Sequence, residues 1–222
     1  MLYTLINVNQ GEQSLSEPTS ICILNYGSGN VGSVANICRT LCDEVTVSNA
    51  PEAIKSATHL ILPGVGAFDR SLQKMRERLP LELIEQQVKV DKKPLMGICV
   101  GLQVLCDAGT EGGKTAGLGW LNGTVERLES HGLHLPHIGW NTVHFAEDSW
   151  FAPAFAEPKE FYFVHSFALA KSADASAHSD YGSQFVAAVE RGNLFAVQFH
   201  PEKSQAAGRT LLSRFLEYRT DA

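Results

Sequence analysis

One cysteine among the five in this 222-residue chain stands where a thiol could do chemistry. The segment PLMGICVGLQVL, residues 94–105, is an apolar run that enters Gly97-Ile98-Cys99-Val100-Gly101 and continues with a helical pattern. G-x-C-x-G between a strand and a helix is the thiol counterpart of a nucleophile elbow. The sharp turn lifts the side chain off the sheet, and the flanking glycines make room for the chain to double back. A helix starting just after Cys99 puts its positive end near the sulfur and favours thiolate. The Val100 N–H is then placed as an oxyanion donor. The competing reading is a core cysteine between two packing glycines. Cys22, Cys38, Cys42 and Cys106 have neither an elbow nor a base beside them.

A thiol nucleophile needs a base that is near in space and distant in sequence. The segment LFAVQFHPEKS supplies one where a strand ends in His200-Pro201-Glu202. Period-two alternation lets His200 and Glu202 face the same way. The carboxylate can orient one imidazole nitrogen while the other faces Cys99, which is triad geometry. Alone, H-P-E reads as a surface turn; beside an elbow it reads as the rest of a catalytic set. In LILPGVGAF, Pro63-Gly64-Val65-Gly66 follows another apolar strand. Glycines on both sides of Val65 permit an amide there to turn into the site as a second oxyanion donor.

The elements that would position these residues form an α/β pattern. Short apolar strands are predicted at 21–25, 44–48, 59–62 and 94–99, with helices at 31–41, 51–56 and 68–90, the last divided by Pro80. After Gly112 the segments LGWLNGTVERL, IGWNTVHF, FYFVHSFAL, FVAAVE and LFAVQF are strand-like, and Arg191-Gly192-Asn193 marks a hairpin. A helix from Ser204 to Tyr218 closes the chain. Residues 1–19 read as a mobile extension and residues 20–222 as one domain.

ILNYGSGNVGSV, residues 23–34, reads literally as the G-x-G-x-x-G of a dinucleotide-binding fold. That reading requires an acid at the end of the second strand, where Ser48-Asn49 stands instead. The glycines are better assigned to a tight strand-to-helix turn, with Asn30 as N-cap. His131, His134 and His137 are spaced by three, but Gly132 and Pro136 forbid a sound helix, so no metal site is expected.

The net charge of -6 and the lack of a Lys/Arg stripe exclude an electrostatic nucleic-acid or anionic-membrane surface. No apolar run reaches the roughly 20 residues of a membrane span. The N-terminus lacks the basic and small-residue features of a signal peptide. Scattered cysteines without C-x-x-C suit free thiols in the cytoplasm.

Taken together, NYGSGN, LPGVGAF, GICVGLQ, GLGW, PHIGWN, FYFVHS and VQFHPEKS resemble, in order, the class I glutamine amidotransferases. More narrowly, they resemble the glutaminase subunits of imidazole glycerol phosphate synthase, over residues 20–218. H-P-E is shared across the class; PHIGWN and FYFVHS are far more specific. Val100 and Leu102 stand where Leu and Met are commoner, both apolar exchanges. The resemblance implies a flavodoxin-like three-layer domain, with a mostly parallel central sheet and an added antiparallel hairpin region. It implies Cys99 as nucleophile, His200 as proton shuttle and Glu202 as orienter, with oxyanion donors at Val65, Gly66 and Val100. It implies glutamine as substrate, held by Gly64, Gln103, Glu111 and the 165–167 backbone (His165, Ser166, Phe167), with no cofactor and no metal. A carboxylate at Glu111 suits the α-ammonium of glutamine.

The resemblance also implies a partner, a (β/α)8-barrel cyclase bound 1:1. The cyclase uses the ammonia to make imidazole glycerol phosphate and an aminoimidazole carboxamide ribotide in histidine biosynthesis. Asn30, Trp140, Tyr162 and Lys203 match interface positions, although Trp140 and Tyr162 read from their pattern alone as hairpin core. Open alternatives are another triad amidotransferase, a γ-glutamyl hydrolase acting alone, and a binding module that keeps the fold without the chemistry.

Overall fold

Four apolar runs set the architecture. In the computed structural model, which describes residues 18–219, ICIL, HLILPG, LMGIC and LFAV become the adjacent strands β1 (Ser20–Leu24), β3 (His59–Gly64), β4 (Leu95–Cys99) and β13 (Leu194–Val197). Nearly every residue of these strands is buried, the mark of parallel strands covered on both faces. The expected extension falls almost wholly on residues 1–17, outside the described residues.

The main sheet has nine strands in the order β2-β1-β3-β4-β13-β12-β11-β8-β9. Its first five strands are mutually parallel, with β2 (Glu44–Ser48) at the edge. From β13 onward each neighbour is antiparallel: β12 (Ser183–Arg191), β11 (Ala175–Tyr181), β8 (His137–Phe145) and β9 (Lys159–His165). The hairpin joining β12 to β13 turns at Gly192-Asn193, with Gly192 at φ 61°. The helices are α1 (Val31–Cys38), α2 (Pro51–Ser56), α3 (Phe68–Arg78), α4 (Leu81–Glu85, continuing as a wide turn to Val90), α5 (Val100–Leu105) and α6 (Gln205–Glu217).

Several expectations change. FYFVHSFAL is not one strand: it breaks at Ser166, so β9 stays in the main sheet while β10 (Phe167–Leu169) joins a second sheet. That four-stranded sheet, β10-β7-β5-β6, also holds β5 (Cys106–Gly109), β6 (Thr115–Ala116) and β7 (Leu121–Arg127). It arises because α5 stops after six residues, where Cys106 turns extended at φ -70°, ψ 173°. β13 ends at Val197, so His200 and Glu202 do not meet by strand alternation. They meet because Pro201–Lys203 is a single 3-10 turn. Asn30 occupies the N-cap position of α1 but makes no capping bond; its amide is used elsewhere.

The parallel strands all point the same way, so the segments following β1, β3, β4 and β13 gather at one sheet edge. In register, Gly64 lies opposite Cys99, and Val197 opposite Ile98.

Candidate active site

The elbow is built by close approach. α5 lies so near β3 that a Cβ on Gly101 would sit 2.0 Å from the Leu62 carbonyl oxygen. Only glycine fits there, and the chain reverses through Cys99 at φ 55°, ψ -110°, a conformation costly for a residue with a side chain. Strain of this kind marks residues held by their surroundings for a purpose. Cys99 Sγ borders a pocket of about 250 Å³ and lies 3.8 Å from the Val164 carbonyl oxygen.

His200 reaches the same pocket from the far side. Its backbone N–H donates to the Tyr162 carbonyl at 2.8 Å, fixing the turn after β13 against β9. The hydroxyl of Ser204 donates to the His200 carbonyl at 2.7 Å and accepts the Tyr162 N–H at 3.0 Å. The ring Nδ1 lies 2.9 Å from Glu202 Oε1, with both side chains almost fully buried. Burial opposes the imidazolium, but contact with Cys99 and with Glu202 outweighs it, so the His200 pKa is raised to about 10. The same Glu202 oxygen accepts from Asn30 Nδ2 at 3.3 Å. The opening loop thus serves the H-P-E turn.

A third imidazole stands behind the pocket wall: His165 lines the pocket, and His137 is bonded to it from outside. His165 Nδ1 lies 3.1 Å from the Phe167 carbonyl, which can only accept, so Nδ1 carries the hydrogen. Its Nε2 then accepts from His137 Nδ1 at 3.0 Å. Burial holds both pKa values down, that of His165 to about 3 and that of His137 to about 4. His137 is stacked on Tyr181 at 4.0 Å, while His131 turns instead to the Ser183 hydroxyl.

At the pocket mouth Val65 and Gly66 are exposed, and Gly66 takes φ 97°. The Val65 carbonyl accepts from Ser28 Oγ at 2.9 Å and Ser71 Oγ at 3.3 Å. A trans peptide therefore directs the Gly66 N–H the opposite way. Gly64 has a different role: it lies beneath the pocket wall, where a Cβ would come within 2.6 Å of the Gly101 nitrogen. Its need for glycine is steric. Val100, Gln103, Glu111, Ser166 and Phe167 all line the pocket, and Glu111 also accepts the Phe68 N–H at 2.9 Å.

Trp140 and Tyr162 are paired across β8 and β9, their rings 6.1 Å apart and edge to face. Trp140 is 43% exposed and so is not core, and Lys203 Nζ lies 5.6 Å above the Tyr162 ring. Asn30, Trp140, Tyr162 and Lys203 are thus tied, directly or through the 201–203 turn, to the rim beside Glu202. Sequence reasoning missed Ser204, His137 and Gln198. The last is an amide within an otherwise apolar strand run, and that anomaly was the available signal. A larger cleft of about 510 Å³ beside α6 contains arginines and hydroxyls but no nucleophile–base pair.

Three of the four thiols other than Cys99 are disabled by burial. Burial raises Cys22 to about 11, and Cys38 and Cys106 to about 12, which leaves these three inert near neutrality.

Comparison with known proteins gives the family. The family glutamine amidotransferase class-I matches residues 22–217. The imidazole glycerol phosphate synthase subunit HisH of Bdellovibrio bacteriovorus is 40% identical over 203 residues, covering 89% of this chain and 99% of that protein. Subunit HisH 1 of Campylobacter jejuni (strain RM1221) is 37% identical over 198 residues, covering 88% and 98%. Among solved structures, a glutamine amidotransferase superposes with TM-score 0.70 at 18% identity, covering 89% of this chain and 97% of that one. PurLQS from Thermotoga maritima superposes with TM-score 0.68 at 19% identity, covering 90% and 99%. Those two support the fold alone. Family match and near-complete coverage together make this chain a class I glutamine amidotransferase, belonging with the HisH subunits of imidazole glycerol phosphate synthase.

Proposed function

We propose that this subunit hydrolyses glutamine to glutamate and ammonia through Cys99, His200 and Glu202. The observation carrying the reading is the strained Cys99 elbow sharing one pocket with an imidazole whose Nδ1 is bonded to a buried carboxylate. The Cys99 thiolate attacks the side-chain amide carbon, and negative charge develops on the carbonyl oxygen. Val100 N–H and an amide of the Val65-Gly66 strand would receive that charge. His200, protonated and held by Glu202, gives its proton to the departing nitrogen, and ammonia leaves a thioester. Water then attacks, His200 accepts its proton, and the C–S bond breaks to release glutamate and restore thiolate. Gln103, Glu111 and the 165–167 backbone hold the amino-acid end of the substrate.

The ammonia passes to a (β/α)8-barrel cyclase bound 1:1. That partner would form imidazole glycerol phosphate and an aminoimidazole carboxamide ribotide with it. Exposed Trp140, with Tyr162 and Lys203 beside it, supports the rim as the docking face. Asn30 ties that rim to Glu202.

The chain alone is nearly inactive and is switched on by the occupied cyclase. Gly66, at φ 97° with no atom within 4 Å of a Cβ position, supplies the freedom for such a switch. Gly64, pinned by packing, does not. Loss of one oxyanion donor costs roughly 100-fold to 1000-fold in turnover, enough for an off state. The test measures glutamine hydrolysis by the chain alone, with empty cyclase, and with cyclase plus its nucleotide ligand. A rise of about that size in the third condition is expected; near-equal rates in all three would defeat the switch.

A further inference from the structure

Gln198 is fully buried, and the triad makes no use of it. Strand register puts it beside the nucleophile. β13 pairs Val197 with Ile98, so the next residue falls alongside Cys99, across from Gly64 on the other side. An amide in such a place is unfavourable unless its polar atoms are bonded. Gln198 Nε2 donates to Cys99 Sγ at 3.7 Å, and its Oε1 accepts from Gln103 Nε2 at 3.0 Å. Gln103 Nε2 gives its other hydrogen to the Phe167 carbonyl at 2.9 Å.

The direction of this chain is fixed from one end. A backbone carbonyl can only accept, so Phe167 dictates that nitrogen, not oxygen, is the inner end of the Gln103 amide. That nitrogen demands oxygen from Gln198, and the Gln198 nitrogen is left facing sulfur. With both hydrogens of Gln103 committed, its Oε1 is the acceptor that remains for the pocket.

We propose that Gln198 is a positioning residue for amide hydrolysis, donating a hydrogen bond that favours the Cys99 thiolate and holding Gln103 with its oxygen toward the substrate ammonium. The proposal rests on Cys99 being the nucleophile. A thiol can donate to the Val164 carbonyl and accept from Gln198; a thiolate keeps only the second bond, and charge strengthens it. The donor therefore discriminates between the two states of the sulfur. It also links the residue that grips the substrate to the atom that attacks it.

The test uses the full chain and the variants Gln198→Met and Gln198→Glu, which keep the side-chain length; the first deletes both the donor to Cys99 and the acceptor for Gln103, the second keeps the acceptor and replaces the donor with an oxygen. Alkylation of Cys99 by iodoacetamide is followed by mass spectrometry across the pH range, and kcat and KM for glutamine are measured with the cyclase bound. The alkylation profile of Gln198→Met should move to higher pH and its kcat fall roughly tenfold, the worth of one hydrogen bond to a charged group. Its KM should also rise, because Gln103 loses the acceptor that orients it; Gln198→Glu keeps that acceptor, so its alkylation profile should move further while its KM stays nearer that of the parent. A merely structural role would lower the melting temperature without moving the profile of the folded protein. Should Gln198→Met not fold, Gln198→Asn, whose amide falls short of sulfur, must show the same upward shift. Variant profiles superimposing on the parent would overturn the proposal while leaving Cys99 as nucleophile. Alkylation of another cysteine first in the unaltered chain would overturn both.

Discussion

His200 and His165 border the same pocket, both are nearly fully buried, and each is bonded through Nδ1, yet their proton affinities diverge. Burial pushes both imidazoles toward the neutral form. His200 escapes because Nδ1 meets the Glu202 carboxylate and Cys99 favours the cation, which raises it to about 10. For His165 burial dominates and His137 and His200 both oppose a further positive charge, while the bond to the Phe167 carbonyl favours the cation too weakly to compensate, so it falls to about 3. Burial sets the cost of charge; the partner decides whether the charge is carried. One imidazole can then hold a proton for chemistry, while its neighbour shapes the pocket without competing for the Cys99 proton.

The largest test of this contrast removes the charged pair. His200→Ala should reduce glutamine hydrolysis by at least about 10⁴-fold, the scale of losing the base of a triad. Synthesis from added ammonium by the assembled complex should survive if, as proposed, that chemistry belongs to the cyclase. Glu202→Gln should be one to two orders of magnitude less damaging, since an orienter's loss leaves part of the function. Equal damage from both would mean that Glu202 does more than orient.

Acid titration sharpens the other half. His59, His137 and His165 lie at about 4, 4 and 3 in the fold, all lowered first by burial. Below their ordinary value near 6.5 the unfolded chain takes up protons that the folded chain refuses. Their stabilising contribution is therefore complete above pH 6.5 and is lost as pH falls toward 4, by up to about 1.4 kcal/mol per histidine per pH unit. His200 runs the other way: its contribution is complete below pH 6.5 and is lost as pH rises through 10. Urea unfolding at stepped pH should show the acid loss. His137→Phe, whose ring can keep the stack on Tyr181, should flatten it; an unchanged slope would remove His137 from the account. The smallest effect belongs to Asn30→Ala, which deletes a 3.3 Å bond to Glu202 and should cost less than about tenfold in turnover. A loss matching that of Glu202→Gln would give the opening loop a larger share in the triad than this bond explains.

Much of this was legible in the sequence because the physics was local. The continuous apolar runs of β1, β3, β4 and β13 announced strands covered on both faces, and G-x-C-x-G announces a turn that only small neighbours permit. What was not legible depended on neighbours distant in the chain. Strand 175–181, ASAHSDY, has weak strand character and is held between β12 and β8. The break at Ser166 is decided by the second sheet's claim on Phe167–Leu169. Asn30 looked like a helix cap, yet a carboxylate 172 residues away takes its amide. His137 looked like one of a loose trio, and its buried partner lies on another strand. Gln198 was visible only as a polar letter in an apolar run. Its meaning required the register between β13 and β4.

The central claim is that one thiol among five is the nucleophile. Treating the chain, bound to its cyclase, with a glutamine-like diazoketone and mapping the adduct by mass spectrometry tests it most directly. Stoichiometric labelling of Cys99, in step with loss of glutaminase activity and blocked by glutamine, is the result predicted. Full inactivation with the label on Cys22, Cys38, Cys42 or Cys106 would contradict it.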